Sequence, residues 1–119
     1  MRLAAATSAC ILAFTAGAAG AVPPPPPGPP VIDCAATTYA TERFICGDSE
    51  LLARTRAVEG AYESRRHQLP PAEALKLQDA QGVWSRERNM CAFKRDQRRC
   101  VIRSTDARLK TLAPRAPSP

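Results

Sequence analysis

Five cysteines, one histidine and an arginine-dense stretch are the residues of this 119-residue chain whose chemistry reaches beyond packing. Thiolates ligate metals, attack electrophiles or pair as disulfides, and spacing decides among the three. A four-cysteine zinc site usually shows two close pairs, two to four residues apart. The intervals between Cys34, Cys46, Cys91 and Cys100 are 11, 44 and 8 residues, which is not that signature. Nucleophilic catalysis needs a hydroxyl or thiol beside a base. The lone His67 stands in Arg65-Arg66-His67-Gln68 before Pro70-Pro71, where an exposed helix end is expected. Carboxylates pair as Asp48 with Glu50 and Glu59 with Glu63, at positions read as solvated and beside arginines. Helix-dipole matching and surface pairing account for both. No phosphate loop, His-Glu-x-x-His run or calcium loop is present. These residues describe a non-enzyme that needs no cofactor or metal.

Disulfides require an oxidising compartment, and the start of the chain supplies the expectation of one. Arg2 precedes an uncharged apolar run, Leu3 to Ala16, and Ala19-Gly20-Ala21 gives a small-x-small cleavage pattern. The run is shorter than the roughly 20 residues a bilayer core demands, so 1–21 reads as an export signal. Cleavage near Ala21 would remove Cys10, leaving four cysteines in a periplasmic or secreted protein. Three pairings are then open. Cys34 with Cys46 and Cys91 with Cys100 are favoured, because each encloses a short stretch broken by helix-ending residues. Each closure would contribute about 2–3 kcal/mol.

The elements that position these residues are helical. Residues 22–32 form a proline-rich spacer whose Pro23–Pro30 run would extend about 25 Å at about 3.1 Å per residue. Residues 113–119 break helix repeatedly and read as a disordered tail. The folded part, 33–112, is of a size at which an unaided core is marginal. No stretch shows the period-2 alternation of a strand. A short leading helix is expected between Cys34 and Cys46, capped by Thr37 or Thr38 and stopped at Gly47. Asp48 caps the next helix, whose inward stripe is Leu51, Val58, Tyr62 and Leu69. Pro71 opens a third, with Leu77, Trp84 and Cys91 at seven-residue steps and Ala80 beside them. Asp96 caps a last helix carrying Val101 or Ile102, Thr105, Leu109 and Leu112. The fold class is all-α: a small disulfide-stapled bundle of three main helices plus a short leading one.

One run stands out as a motif: Gln81-x-x-Trp84-x-x-x-Arg88-Asn89-x-Cys91. It is preceded by Cys34, Glu42-x-x-Ile45-Cys46, Glu50-Leu51 and Ala61-Tyr62, and followed by Cys100 and Arg108-Leu109-x-x-Leu112. This pattern resembles the N-terminal domain of the LprI family, small exported bacterial domains named after a lysozyme inhibitor. The resemblance spans Cys34 to Leu112. It implies a helical, disulfide-stapled fold and a protein-binding, inhibitory role. There are two departures: Arg54-Thr55 replaces the family's usual Leu-Asp, which changes charge at the site, and Thr105 stands where a tyrosine is usual. Within the motif Trp84 is read as core, its indole N–H donating to a helix-end carbonyl. Arg88 is expected to bridge to Glu42 or Asp48. Gln81 either bonds across the bundle or faces water.

Charge is divided unevenly along the chain. From Asp33 to Ser85 six basic residues face eight acidic ones, whereas Arg86 to Arg115 carries ten against three. Much of the excess lies in Lys94-Arg95-Asp96-Gln97-Arg98-Arg99, between the last two cysteines. With the family resemblance, Arg95, Arg98 and Arg99 become the expected partner-binding residues, directed at the cleft carboxylates of lysozyme or another cell-wall hydrolase. Many lysozymes are themselves basic, so electrostatic steering would oppose such a partner. The alternative is an envelope-associated module whose basic half contacts anionic components. Nucleic acid is not an expected physiological partner of an exported chain.

Overall fold

The computed structural model describes residues 31–114 together with Gly17 and Gly20. The rest of the expected export signal, the proline run up to Pro30 and the tail from Arg115 lie outside the described residues. Helix α1 spans Ala40–Cys46, α2 Ser49–Gln68, α3 Pro71–Asn89 and α4 Gln97–Leu112. A 3₁₀ turn, Met90–Phe93, joins α3 to the segment before α4. No strand occurs among the described residues. Nor, among them, is any helix long and apolar enough to cross a membrane.

Local chemistry explains most boundaries. The Asp48 carboxylate accepts the backbone N–H groups of Glu50 and Leu51 at 3.0 and 3.1 Å, which begins α2. Asp96 does the same for α4 through the N–H of Arg99 at 2.9 Å. Pro71 sits in the first turn of α3, where its missing donor costs nothing. The leading helix starts later than expected, because Asp33 organises a tight turn before it. The Asp33 carbonyl accepts from Ala36 and Thr37 at 3.1 and 2.8 Å, and its carboxylate from Ala35 at 2.9 Å. Thr37 is thus not a cap. Its hydroxyl donates to Glu42 and accepts the N–H of Tyr39, the residue that stands before α1.

Both expected staples are present, Cys34–Cys46 and Cys91–Cys100, with Cα atoms 5.7 and 5.6 Å apart. The apolar interior falls into two clusters along α2 and α4, the most extensively packed helix pair. Ile32, Ile45, Leu51, Cys91 and Val101 form one; Val58, Tyr62, Trp84 and Leu112 form the other. Three expectations need correction. Ile32, assigned to the spacer, is 5% exposed and belongs to the core. Its N–H donates to Glu59 at 2.7 Å, so Glu59 is a buried anchor for the entering chain and not a solvated surface acid. Leu69 lies beyond the end of α2 and is only half-buried, because the Pro70-Pro71 turn lifts it off the stripe.

Because α2 and α4 leave only small apolar clusters, the staples should carry much of the stability. Replacing Cys91 and Cys100 together by serine is expected to cost about 2–3 kcal/mol, measured as a lower denaturant midpoint. Peptide mapping without reductant should recover Cys34 linked to Cys46 and Cys91 linked to Cys100, with no free thiol in the folded part.

Candidate functional site

Gln81, Trp84 and Arg88 are three and four residues apart, so one face of α3 carries all three, and all three are buried. Gln81 accepts from Arg108 Nε at 2.8 Å, a bond across the bundle. Trp84 Nε1 donates to the carbonyl of Ser104 at 3.2 Å. That acceptor is in the middle of α4, not at a helix end as expected; a helical carbonyl keeps a second lone pair for such a donor. The Arg88 guanidinium lies 5.0 Å from the centroid of the Trp84 ring.

Arg88 is the centre of a buried polar knot. Its Nη2 donates to Glu42 Oε1 at 3.0 Å and to Asn89 Oδ1 at 3.0 Å. Asn89 Nδ2 donates in turn to the same Glu42 oxygen at 3.2 Å. Burial pulls the Arg88 guanidinium below its ordinary value, and the carboxylates of Glu42 and Glu59 oppose that pull. An arginine does not discharge in a protein, so the counter-charge is obligatory. Beside this knot the Thr41 hydroxyl donates to the carbonyl of Asn89 at 2.6 Å and accepts the N–H of Ala92 at 3.0 Å. Helix α1 is thereby bolted to the joint between α3 and the 3₁₀ turn.

What this bolt supports is an exposed end of the bundle. The 3₁₀ turn is rooted by buried Cys91 and closed by Cys100 on α4. Between them Phe93 is 80% exposed, with Met90 also exposed and Lys94 and Arg95 following it into solvent. No helical stripe claims Phe93, which is the one sign in the sequence that could have singled it out.

The expected triad Arg95, Arg98 and Arg99 is not a common loop surface. Helix α4 begins at Gln97, so Arg98 and Arg99 are helical. Arg98 donates through Nε to Asp48 at 3.1 Å and through Nη2 to Glu50, pinning the start of α4 to the start of α2. Arg99 reaches back to Asp96, 3.4 Å away. Of these three arginines only Arg95 has no ion-pair partner among the described residues. The Asp48 carboxyl is held below its ordinary value by the Leu51 N–H and by Arg98. Glu50 is lowered by Arg98 and then by Arg54, which also reaches Asp106 at 2.8 Å. His67, exposed at the end of α2 as expected, lies 2.9 Å from Glu63.

No family model, curated protein or solved structure matches this chain. The resemblance to the LprI family therefore rests on its residues alone.

Two outcomes test this geometry. Glu42→Ala leaves Arg88 buried without its counter-charge and should cost about 3–5 kcal/mol, whereas Arg88→Met should cost less. Equal losses in calorimetry would contradict the knot. The lowered carboxyls of Asp48, Glu50 and Glu63 fix the sign of the acid response. Their folded values lie below the unfolded ones, so their stabilisation is complete at neutral pH and is lost as pH falls through the folded values. The melting temperature should decline between about pH 5 and about pH 2, and less steeply in Arg98→Ala.

Proposed function

We propose that this chain is an exported, non-catalytic binding protein that blocks a cell-wall hydrolase of the lysozyme class. Its Cys91–Cys100 end would seat in the sugar-binding cleft and exclude substrate sterically. The observation that carries this reading is Phe93, an aromatic side chain 80% exposed on a turn closed by a disulfide. Leaving a phenylalanine in water forgoes about 1.5–3 kcal/mol of burial that a partner can recover. A turn already rigid loses little further entropy on docking, so most of that gain would appear as affinity. Large aromatic side chains and arginines dominate interface energetics when desolvated near the centre. Lys94 and Arg95 flank the aromatic and suit the paired carboxylates of a glycosidase cleft. Arg98, saturated by Asp48 and Glu50, contributes to holding the end in place and not to the contact. Affinity drawn from an apolar anchor also answers the like charge of a basic lysozyme, because it does not depend on steering. The two disulfides support the exported placement.

The same end favours a second reading. Exposed Phe93 and Met90 beside Lys94 and Arg95 match the amphipathic pattern that settles at an anionic membrane surface. Lysis of a cell-wall suspension by lysozyme, followed by turbidity, separates the two. Wild-type protein should slow lysis, and Phe93→Ser or Arg95→Ser should weaken inhibition at least about tenfold, roughly 1.4 kcal/mol, with helicity unchanged. No inhibition by the wild type, with salt-sensitive retention on phosphatidylserine vesicles that Phe93→Ser abolishes, would replace the inhibitor by the envelope module. Inhibition indifferent to both substitutions would remove this end from the mechanism.

A further inference from the structure

We propose that the outer face of α3 is the interface of a symmetric homodimer, in which two copies of this chain pack α3 against α3 in antiparallel. The inner side of α3 carries Gln81, Trp84 and Arg88, all buried. Helical periodicity places Leu75, Asp79, Gly82, Val83, Arg86 and Met90 on the opposite side. That side is left open: Leu75, Val83 and Met90 are 62, 44 and 55% exposed. Three large apolar side chains at intervals of eight and seven residues form a stripe, and a stripe marks an interaction surface where scattered exposure does not. Gly82 lies in its middle. A Cβ there would meet only the tip of Arg86, at 3.7 Å, so the chain's own packing does not demand a residue that weakens a helix. A closely packed neighbour would use the space.

The charges on this face choose the occupant. Every carboxylate of α2 and α4 has an ion-pair partner. On α3, by contrast, Lys76, Asp79, Arg86 and Glu87 are exposed and have none among the described residues. A two-fold axis level with the Gly82–Val83 peptide pairs all four. It sets Asp79 of each copy beside Arg86 of the other, because both lie about 5 Å along the helix from that level. Leu75 meets Met90 in the same way, each about 11 Å out, and each Val83 lies level with Gly82 of the other copy. Lys76 and Glu87 share one flank and come within about 3 Å of a common level, a gap their long side chains span. Such pairs at a wet rim add little affinity, but they fix orientation and register. A parallel pair would set like charges side by side. The face is thus complementary to itself, which is what an isologous contact requires. This dimer does not depend on hydrolase binding, and it would carry the two Phe93-bearing ends at its opposite extremes.

Sedimentation equilibrium of the folded protein should show a reversible monomer–dimer equilibrium. Its dissociation constant should be about 100 μM or below, as suits a contact one helix wide. Asp79→Arg and Arg86→Asp each set like charges opposite one another twice, and each should weaken association at least about tenfold. Both side chains are exposed, so helicity should be unchanged. The two variants mixed in equal amounts should form a heterodimer, and a chain carrying both substitutions should recover wild-type association. A wild type that stays monomeric up to about 1 mM would overturn the proposal. Dimerisation indifferent to either charge reversal, or not restored when both are combined, would overturn it equally, since another face would then be responsible.

Discussion

The buried guanidinium of Arg88 is the constraint on which the rest of the molecule depends. A side chain 3% exposed that cannot discharge must find a carboxylate, and the one it finds is 46 residues earlier in the chain. Satisfying it requires α1 to lie across the end of α3. Once there, Asn89 joins the pair and Thr41 reaches both the last carbonyl of α3 and the N–H of Ala92 in the 3₁₀ turn. Cys34–Cys46 holds the chain entering α1, and Cys91–Cys100 ties the turn to α4. The exposed end carrying Phe93 is therefore the far side of a joint fixed from three directions.

The interior around this joint is unusually polar. Thr41, Thr55, Glu59, Gln81, Arg88, Thr105 and Arg108 are buried alongside nine apolar residues, and only Tyr62 and Trp84 among the latter are aromatic. Polar contents of this kind add little net stability: a group that finds a protein partner only exchanges water for it, and the buried Thr55 hydroxyl finds none. They do restrict how helices can be arranged, because a wrong register strands a buried donor or charge. Thr105 meets this demand locally by donating to carbonyls of its own helix at 3.0 and 2.9 Å. Glu59 meets it by capturing the N–H of Ile32 and the guanidinium of Arg56. The covalent staples supply the stability that such an interior does not.

Features that depend on neighbouring residues were legible in the sequence: the caps at Asp48 and Asp96, the Pro70-Pro71 break, the local cysteine pairs and the seven-residue stripe through Trp84. Arg88 with Glu42 was legible as one of two candidates, because a large buried cation narrows its partners to early carboxylates. Features that depend on where a distant segment returns were not. Glu59 looks like any helix-surface acid until Ile32 arrives beside it. Arg108 looks like a solvated residue of a basic half until α3 brings Gln81 against it. Arg98 looked free for a partner because Asp48 and Glu50 are some fifty residues away in the chain. Phe93 carries the opposite lesson: its exposure is visible only as a failure to fit any stripe. Its consequence emerges once the turn around it is seen to be bolted down.

Rigidity of that turn is the central claim, and the amide of Ala92 reads it most directly. Its hydrogen is held by Thr41 and sits one residue before Phe93. In the intact protein, hydrogen exchange at Ala92 should be slowed by about a thousandfold or more, an opening free energy of about 4 kcal/mol. Thr41→Val, close in shape but without the hydroxyl, should release most of that protection while the amides of α2 keep theirs. Exchange at Ala92 near the rate of an unstructured peptide in the wild type would mean a mobile loop, and would contradict the account.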